Sequence, residues 1–318
     1  MKNKVLTGLL LVLIGGWGSL SAQSAGSNYS RQVNTLIGTK GVGLTSGYLY
    51  PGATYPYGMV QFTPSYFSKR SGFVINQLSG GGCEHMGNFP TFPVKGKLKM
   101  SPDNILNYRI NISEEKGHAG YYEAMVQEDI KAKLTVTERT GMASYEYPAD
   151  QQYGTVIIGG GISATPIEQA AIVITAPNKC EGYAEGGNFC GLRTPYKVYF
   201  VAEFDTDALE SGTWKRNELK PNTTFAEGEY SGVYFTFDVN KKKNIQYKIG
   251  VSYVSVENAR ENLKAENTGW DFLQIQNQAE SKWNHYLGKI EVEGTNPDRT
   301  TQFYTHLYRS FTRTYVVM

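Results

Sequence analysis

The sequence predicts a mainly β chain, an antiparallel β-sandwich over residues 28–256 followed by helices to the end. Three observations carry this. From Tyr122 to Val256 apolar residues alternate with polar ones at period two, the mark of strands with one buried face. Clusters of Gly, Pro, Asn and Asp punctuate these runs with no helical pattern between them, so successive strands pair antiparallel and not through crossover helices. After Val256 the apolar spacing switches to three and four, the period of an amphipathic helix.

Residues 1–22 place Lys2 and Lys4 before the apolar run Val5 to Ile14 and the small residues Ser19, Ser21 and Ala22. That is the layout of a secretory signal peptide, with an apolar core too short to span a bilayer. An exported chain, periplasmic or secreted, is expected. The first cysteine is Cys83, so no lipid anchor is expected.

Strands are expected at Ile130 to Thr137, Ala143 to Tyr147, Val156 to Ile158, Ile172 to Thr175, Tyr196 to Phe204, Gly232 to Val239 and Ile245 to Val256. In the first of these Ile130, Ala132, Leu134 and Val136 share one face, with Lys131, Lys133, Thr135 and Thr137 on the other. A helix over Ser255 to Asn267 carries Ala259 and Leu263, and a second runs to Leu287 with Phe272, Ile275, Ala279, Trp283 and Tyr286 in one stripe and Gly288 as its stop. Lys289 to Gly294 reads as a short strand. Asn296 and Pro297 then read as an N-cap and first-turn proline, opening a third helix whose apolar positions are Phe303, Leu307, Phe311 and Tyr315. This helix reaches Met318 without a stop signal. Its apolar face is expected either to fold back on the sandwich or to be covered by a further domain, and the missing stop favours the second.

The formal charge is +2, from 31 basic and 29 acidic residues. Removing Lys2 and Lys4 leaves 29 of each. A neutral surface argues against nucleic acid or an anionic membrane as partner. Three cysteines in an oxidising compartment allow one disulfide. Cys180 and Cys190 flank the glycine-rich stretch EGYAEGGNFC and could pair locally, leaving Cys83 free; Cys83 with Cys190 is the alternative.

The chemistry concentrates in Ser79 to Pro93, SGGGCEHMGNFPTFP. Gly80 to Gly82 permit positive φ and close approach to a ligand, and Cys83, Glu84, His85 and Asn88 follow, with Pro90 and Pro93 stiffening the exit. The plain alternative is a glycine-rich hairpin with a solvated Glu-His tip. Elsewhere Gly38 to Gly43 and Gly159 to Pro166 are glycine-rich but lack the Lys-Ser/Thr ending of a phosphate loop, and read as turns. No two of His85, His118, His285 and His306 share a metal-binding spacing, no nucleophile elbow is present, and no carboxylate pair can be given acid and base roles from spacing.

The stretch PGAT at Pro51 to Thr54, followed by Pro56, Gly58, Met59, Val60, Gln61 and Pro64, resembles the signature of glycoside hydrolase family 92, exo-acting α-mannosidases. The resemblance continues through SGGGCEHMGNFP, through FCG at Phe189 to Gly191 and the PYKVYFVAEFD after it, and through VSYVSVENARENL and GWDF to FYTHLYRSF at Phe303 to Phe311. It covers nearly the whole chain after the leader.

The resemblance implies a galactose-mutarotase-like β-sandwich over 28–256, a helical linker over 257–288, and the first helix of an (α/α)6 catalytic domain from 289. It implies a secreted, calcium-dependent, inverting exo-α-mannosidase acting on mannose-containing glycans, with the acid, the base carboxylates and the calcium ligands in the barrel beyond Met318. On that reading this chain holds no catalytic residue and no metal ligand and is inactive alone. It contributes sugar-binding loops, Cys83, Glu84, His85 and Asn88 in one, Phe189, Cys190 and Gly191 in the other. Where many members carry a tryptophan after the MVQxxP stretch, this chain has Ser65 to Ser71, so the linkage preference stays open. A stand-alone sugar-binding module and an adhesive sandwich are the two other classes: the first would retain sugar without turnover, the second would use neither loop.

Overall fold

The computed structural model describes residues 28–39, 49–65, 72–102 and 111–312. The expected signal peptide, the Ser65 to Ser71 departure beyond its first residue, and Tyr315 to Met318 lie outside the described residues.

The chain opens with a short helix α1 (Tyr29–Gln32) and the strands β1 (Ala53–Thr54), β2 (Gln61–Pro64), β3 (Phe73–Val74) and β4 (Thr91–Lys95). A meander follows: β5 (Ile112–His118), β6 (Tyr121–Val126), β7 (Ile130–Val136), β8 (Thr140–Glu146) and β9 (Tyr153–Gly159). Next come β10 (Ile167–Ala176), β11 (Lys179–Phe189), β12 (Leu192–Phe204), β13 (Glu210–Lys215), β14 (Glu218–Pro221), β15 (Phe225–Glu227), β16 (Ser231–Asp238) and β17 (Asn244–Ser252). The helices α2 (Val256–Glu266), α3 (Phe272–Leu287) and α4 (Pro297–Phe311) end the described chain.

The strands form two sheets. One runs β1-β2-β3-β4-β9-β16-β13-β14, the other β15-β10-β11-β12-β17-β8-β7-β6-β5. The described pairs between neighbouring strands are antiparallel, as in Leu134 opposite Ala143 and Phe200 opposite Val251. The core between the sheets is aromatic: Phe62 meets Phe73 and Tyr247, and Phe204 meets Phe235, Phe237 and Tyr247, with ring centroids 5.0 to 6.5 Å apart. Such side chains each contribute about 1.5–3 kcal/mol when fully buried, which is what period-two patterning secures.

Several expectations are corrected. The stretch Glu181 to Gly191, read as a glycine-rich turn, is mostly strand β11; its glycines Gly182 and Gly186 face backbone carbonyls of β10 and of the turn before it that a Cβ would strike. β17 stops at Ser252, and Ser255 then caps α2, its hydroxyl accepting from Asn258 N–H. Lys289 to Gly294 is not a strand but an exposed connection, with Ile290 and Val292 facing solvent. Gly288 closes α3 with φ of −72°, so the helix does not end through a left-handed residue.

α2 lies on the outer face of the second sheet through Ala259, Leu263 and Val201. Its approach requires Gly250, where a Cβ would sit 2.6 Å from the Ala259 carbonyl oxygen. α3 and α4 pack with α1 around Val33, Ala119, Trp283, Leu287, Tyr304 and Tyr308. The Trp283 Nε1–H donates to the Thr54 carbonyl at 2.7 Å, and Tyr308 Oη shares a 2.7 Å hydrogen bond with Thr54 Oγ1. The third helix thus folds back on the sandwich. Its closed face is Tyr304 and Tyr308, one position on from the expected Phe303 and Leu307, which are half-buried with Phe311 around it.

Candidate functional site

The two loops named from the sequence meet at a disulfide between Cys83 and Cys190. Gly80 and Gly82 take φ of +72° and +73°, the left-handed region glycine enters freely, and Met86 and Phe89 follow at +48° and +53°. This coils the loop tightly enough to set Cys83 against the tip of the β11–β12 hairpin. That tip is a two-residue turn, Cys190 and Gly191, at φ of +53° and +83°, the conformation that matches strand twist in a tight hairpin. Asn188 Oδ1 accepts from Gly191 N–H at 2.9 Å and closes it.

Cys83 and Cys190 form a disulfide with Cα atoms 5.3 Å apart. Cys180 is free and buried. Local pairing of Cys180 with Cys190 fails because they stand at opposite ends of an extended strand, and at about 3.3 Å per residue their Cα atoms are separated by far more than the ~7 Å a disulfide allows. Burial instead pushes the Cys180 thiol pKa well up.

His85 is buried and fully committed within its own loop. Its Nε2 accepts from Leu78 N–H at 2.7 Å and its Nδ1 lies 2.5 Å from the Cys83 carbonyl oxygen. The first contact needs a bare nitrogen and the second a protonated one, which fixes a neutral tautomer. Burial lowers its pKa. Phe189 packs edge-on against the ring at 5.4 Å, and a Cβ on Gly81 would lie 2.8 Å from the His85 Cε1.

Asn88 is completely buried. Its Oδ1 accepts from Asn76 Nδ2 at 3.1 Å and from Tyr196 Oη at 2.8 Å, and its N–H donates to Asn76 Oδ1 at 2.8 Å. It braces the loop from behind and has no path to a ligand at the surface. Glu84, by contrast, is exposed.

Apart from Asn88, the expected site residues divide between two hollows. A cleft of about 300 Å³ is lined by Cys83, Glu84, Cys190 and Gly191 together with Thr165 and Asn188. A larger hollow of about 820 Å³ lies on the other side of the loop junction, with His85 and Phe189 in its wall. Sequence reasoning missed Thr165, Tyr196 and Tyr253. Thr165 belongs to Gly159 to Pro166, a connection indeed, whose Ala164 N–H donates to the Met86 carbonyl at 2.7 Å and so draws it to the site. Among the described residues the Thr165 Oγ1 is buried without a hydrogen-bond partner.

No group of three or more His, Cys, Asp or Glu side chains among the described residues could hold a metal ion. No helix among the described residues is long and apolar enough to cross a membrane.

Residues 32–252 match the model of the glycosyl hydrolase family 92 N-terminal domain, and residues 258–317 match part of its catalytic domain. A protein of Arthroderma benhamiae described as an uncharacterized secreted glycosidase is 26% identical over 88% of this chain. This chain spans 41% of that protein's length. The solved family GH92 α-mannosidase of Bacteroides thetaiotaomicron superposes with a TM-score of 0.78 at 24% identity, over 90% of this chain and 41% of that one. An inverting mannosidase of the same family from B. thetaiotaomicron VPI-5482 superposes with a TM-score of 0.74 at 24% identity, over 89% of this chain and 39% of that one. These superpositions share the two-sheet fold with its trailing helices. With its N-terminal-domain model matched over well more than half of its residues, this chain belongs to glycosyl hydrolase family 92.

Proposed function

We propose that this chain is the front part of an exported, calcium-dependent, inverting exo-α-mannosidase acting on mannose-containing glycans, and that it supplies sugar contacts while the catalytic carboxylates lie outside its 318 residues. The observation that carries the reading is the disulfide between Cys83 and Cys190, which fastens two loops distant in sequence around one small polar cleft. Glu84 is solvent-facing there, a group suited to the hydroxyls of a single pyranose. The family, and the α-mannosidase titles of the solved relatives, support the substrate class.

Within this reading each residue has a physical task. Inversion needs a carboxylic acid on the leaving oxygen and a carboxylate activating water across the ring, about 6.5–9.5 Å apart. His85 supplies neither, since both its nitrogens are engaged inside the loop. It and Asn88 hold the loop in shape, Glu84 and the Cys190–Gly191 backbone face the sugar, and Phe189 packs on the His85 ring in the wall of the larger hollow.

The test is release of mannose from α-linked mannobiosides by the purified chain, with and without calcium. None is expected from the chain alone, and partial recovery is expected on adding a separately expressed catalytic domain of a family relative. Turnover by the chain alone, surviving repurification and lost in Glu84→Ala, would overturn the division of labour.

A further inference from the structure

The hollow of about 820 Å³ behind the loop junction has a lining unlike a sugar cleft. Its wall presents the rings of Phe189, Tyr196 and Tyr253 with the aliphatic groups of Leu78, Met86 and Val254. The phenol, imidazole and charged groups on that wall already have partners. Tyr196 Oη donates to Asn88 Oδ1, and Tyr253 Oη accepts from Asn76 Nδ2 at 3.3 Å. Arg193 forks onto Glu168 at 3.0 and 2.8 Å. The Lys197 Nζ lies 3.3 Å from a Glu185 oxygen and 4.1 Å over the Tyr183 ring. Both His85 nitrogens are bonded within the loop.

The rings and aliphatic groups that make up most of this wall offer a hydroxyl-rich ligand no hydrogen bond, which costs on the order of 1–3 kcal/mol for each of its groups left unsatisfied. An apolar one would gain about 25 cal/mol for each Å² it buries, and a flat ring would add favourable contact with the three aromatic side chains. The volume falls within the range of about 300–1,000 Å³ that small-molecule sites occupy.

We propose that this hollow is a second binding site, separate from the sugar cleft, and that it takes a flat aromatic group such as the aglycone of an aryl glycoside. The two sites share only Asn188 between their walls, so a conjugate of sugar and aromatic group could reach both past Asn188. The inference does not depend on the sugar reading, because the lining alone argues for it.

The probe is 4-methylumbelliferone, titrated into the full chain and followed by calorimetry. Saturable binding is expected, weakened about tenfold or more in Tyr253→Ala, which removes a wall ring. Val254 is 74% exposed, so Val254→Asp tests the same wall without burdening the fold, and it too is expected to weaken binding severalfold. Absence of binding up to the solubility of the probe would overturn the proposal. So would binding unchanged in Val254→Asp, or displacement of the probe by methyl α-mannoside, which would make the hollow a sugar site.

Discussion

Cys83 and Cys190, 107 positions apart, are joined across Cα atoms 5.3 Å apart, and this bond ties the glycine loop to the tip of the β11–β12 hairpin. Removing it in the Cys83→Ser, Cys190→Ser double variant is expected to cost about 3–5 kcal/mol, the range for a closed loop of this length. Urea denaturation measures the loss. In the unreduced, denatured protein a thiol reagent should find one thiol, that of Cys180. A second or third thiol would mean the loops are not bonded.

Stability should fall as pH drops below the ordinary histidine range. Burial lowers the pKa of both His85 and His118 below the unfolded value of 6.5. His118 is faced by Arg31 from α1, which lowers its pKa further, and by Glu280 from α3 and Glu123 from β6, which oppose that shift; Tyr121 stacks on its ring. Because the unfolded chain binds these protons first, stability rises with pH through this window and is lost as pH falls below about 6.5. Urea midpoints at pH 7, 6 and 5 should show the slope, and His118→Gln should flatten it.

α4 is fastened by a buried guanidinium. Arg309 donates to the carbonyl oxygens of Thr35 at 2.6 Å, Tyr50 at 3.0 Å and Ile37 at 3.3 Å. Arg309→Ala would leave these acceptors without their donor, a cost of about 2–4 kcal/mol. Hydrogen exchange in α4 should accelerate with it. Unchanged protection would mean the aromatic contacts of Tyr304 and Tyr308 suffice.

Glu84 and Asn88 should separate contact from support. Asn88→Ala strips partners from Asn76 and Tyr196 and should destabilise by about 1–3 kcal/mol. Glu84→Ala, at an exposed position, should change stability by no more than about 0.5 kcal/mol. Equal destabilisation by both would remove Glu84 from the cleft surface.

The sandwich was readable wherever one face of a strand is apolar: the alternation from Ile130 to Thr137 is strand β7, which ends one residue earlier at Val136. It was unreadable where glycine replaces the side chains that make a period, so β11 passed for a turn, and where a strand meets a helix cap, as at Ser252 to Ser255. Asn296 and Pro297 marked the start of α4, but an aromatic-rich helix gives no unique stripe, and the buried face fell on Tyr304 and Tyr308. At the site, glycine spacing exposed the loop, yet no local pattern distinguishes Asn88, behind the wall, from Glu84, on it. The tertiary neighbours Asn76 and Tyr196 decide that. Thr165, Tyr196 and Tyr253 come from three separate connections and share no local signal.

The central claim, that the disulfide-joined loops form a sugar cleft without the machinery of hydrolysis, is tested most directly by saturation-transfer NMR of methyl α-mannoside on the oxidised chain. The account predicts transfer to the sugar protons that disappears in Glu84→Ala and on reduction of the Cys83–Cys190 bond. Transfer that persists through both changes, or none in the intact chain, would contradict it.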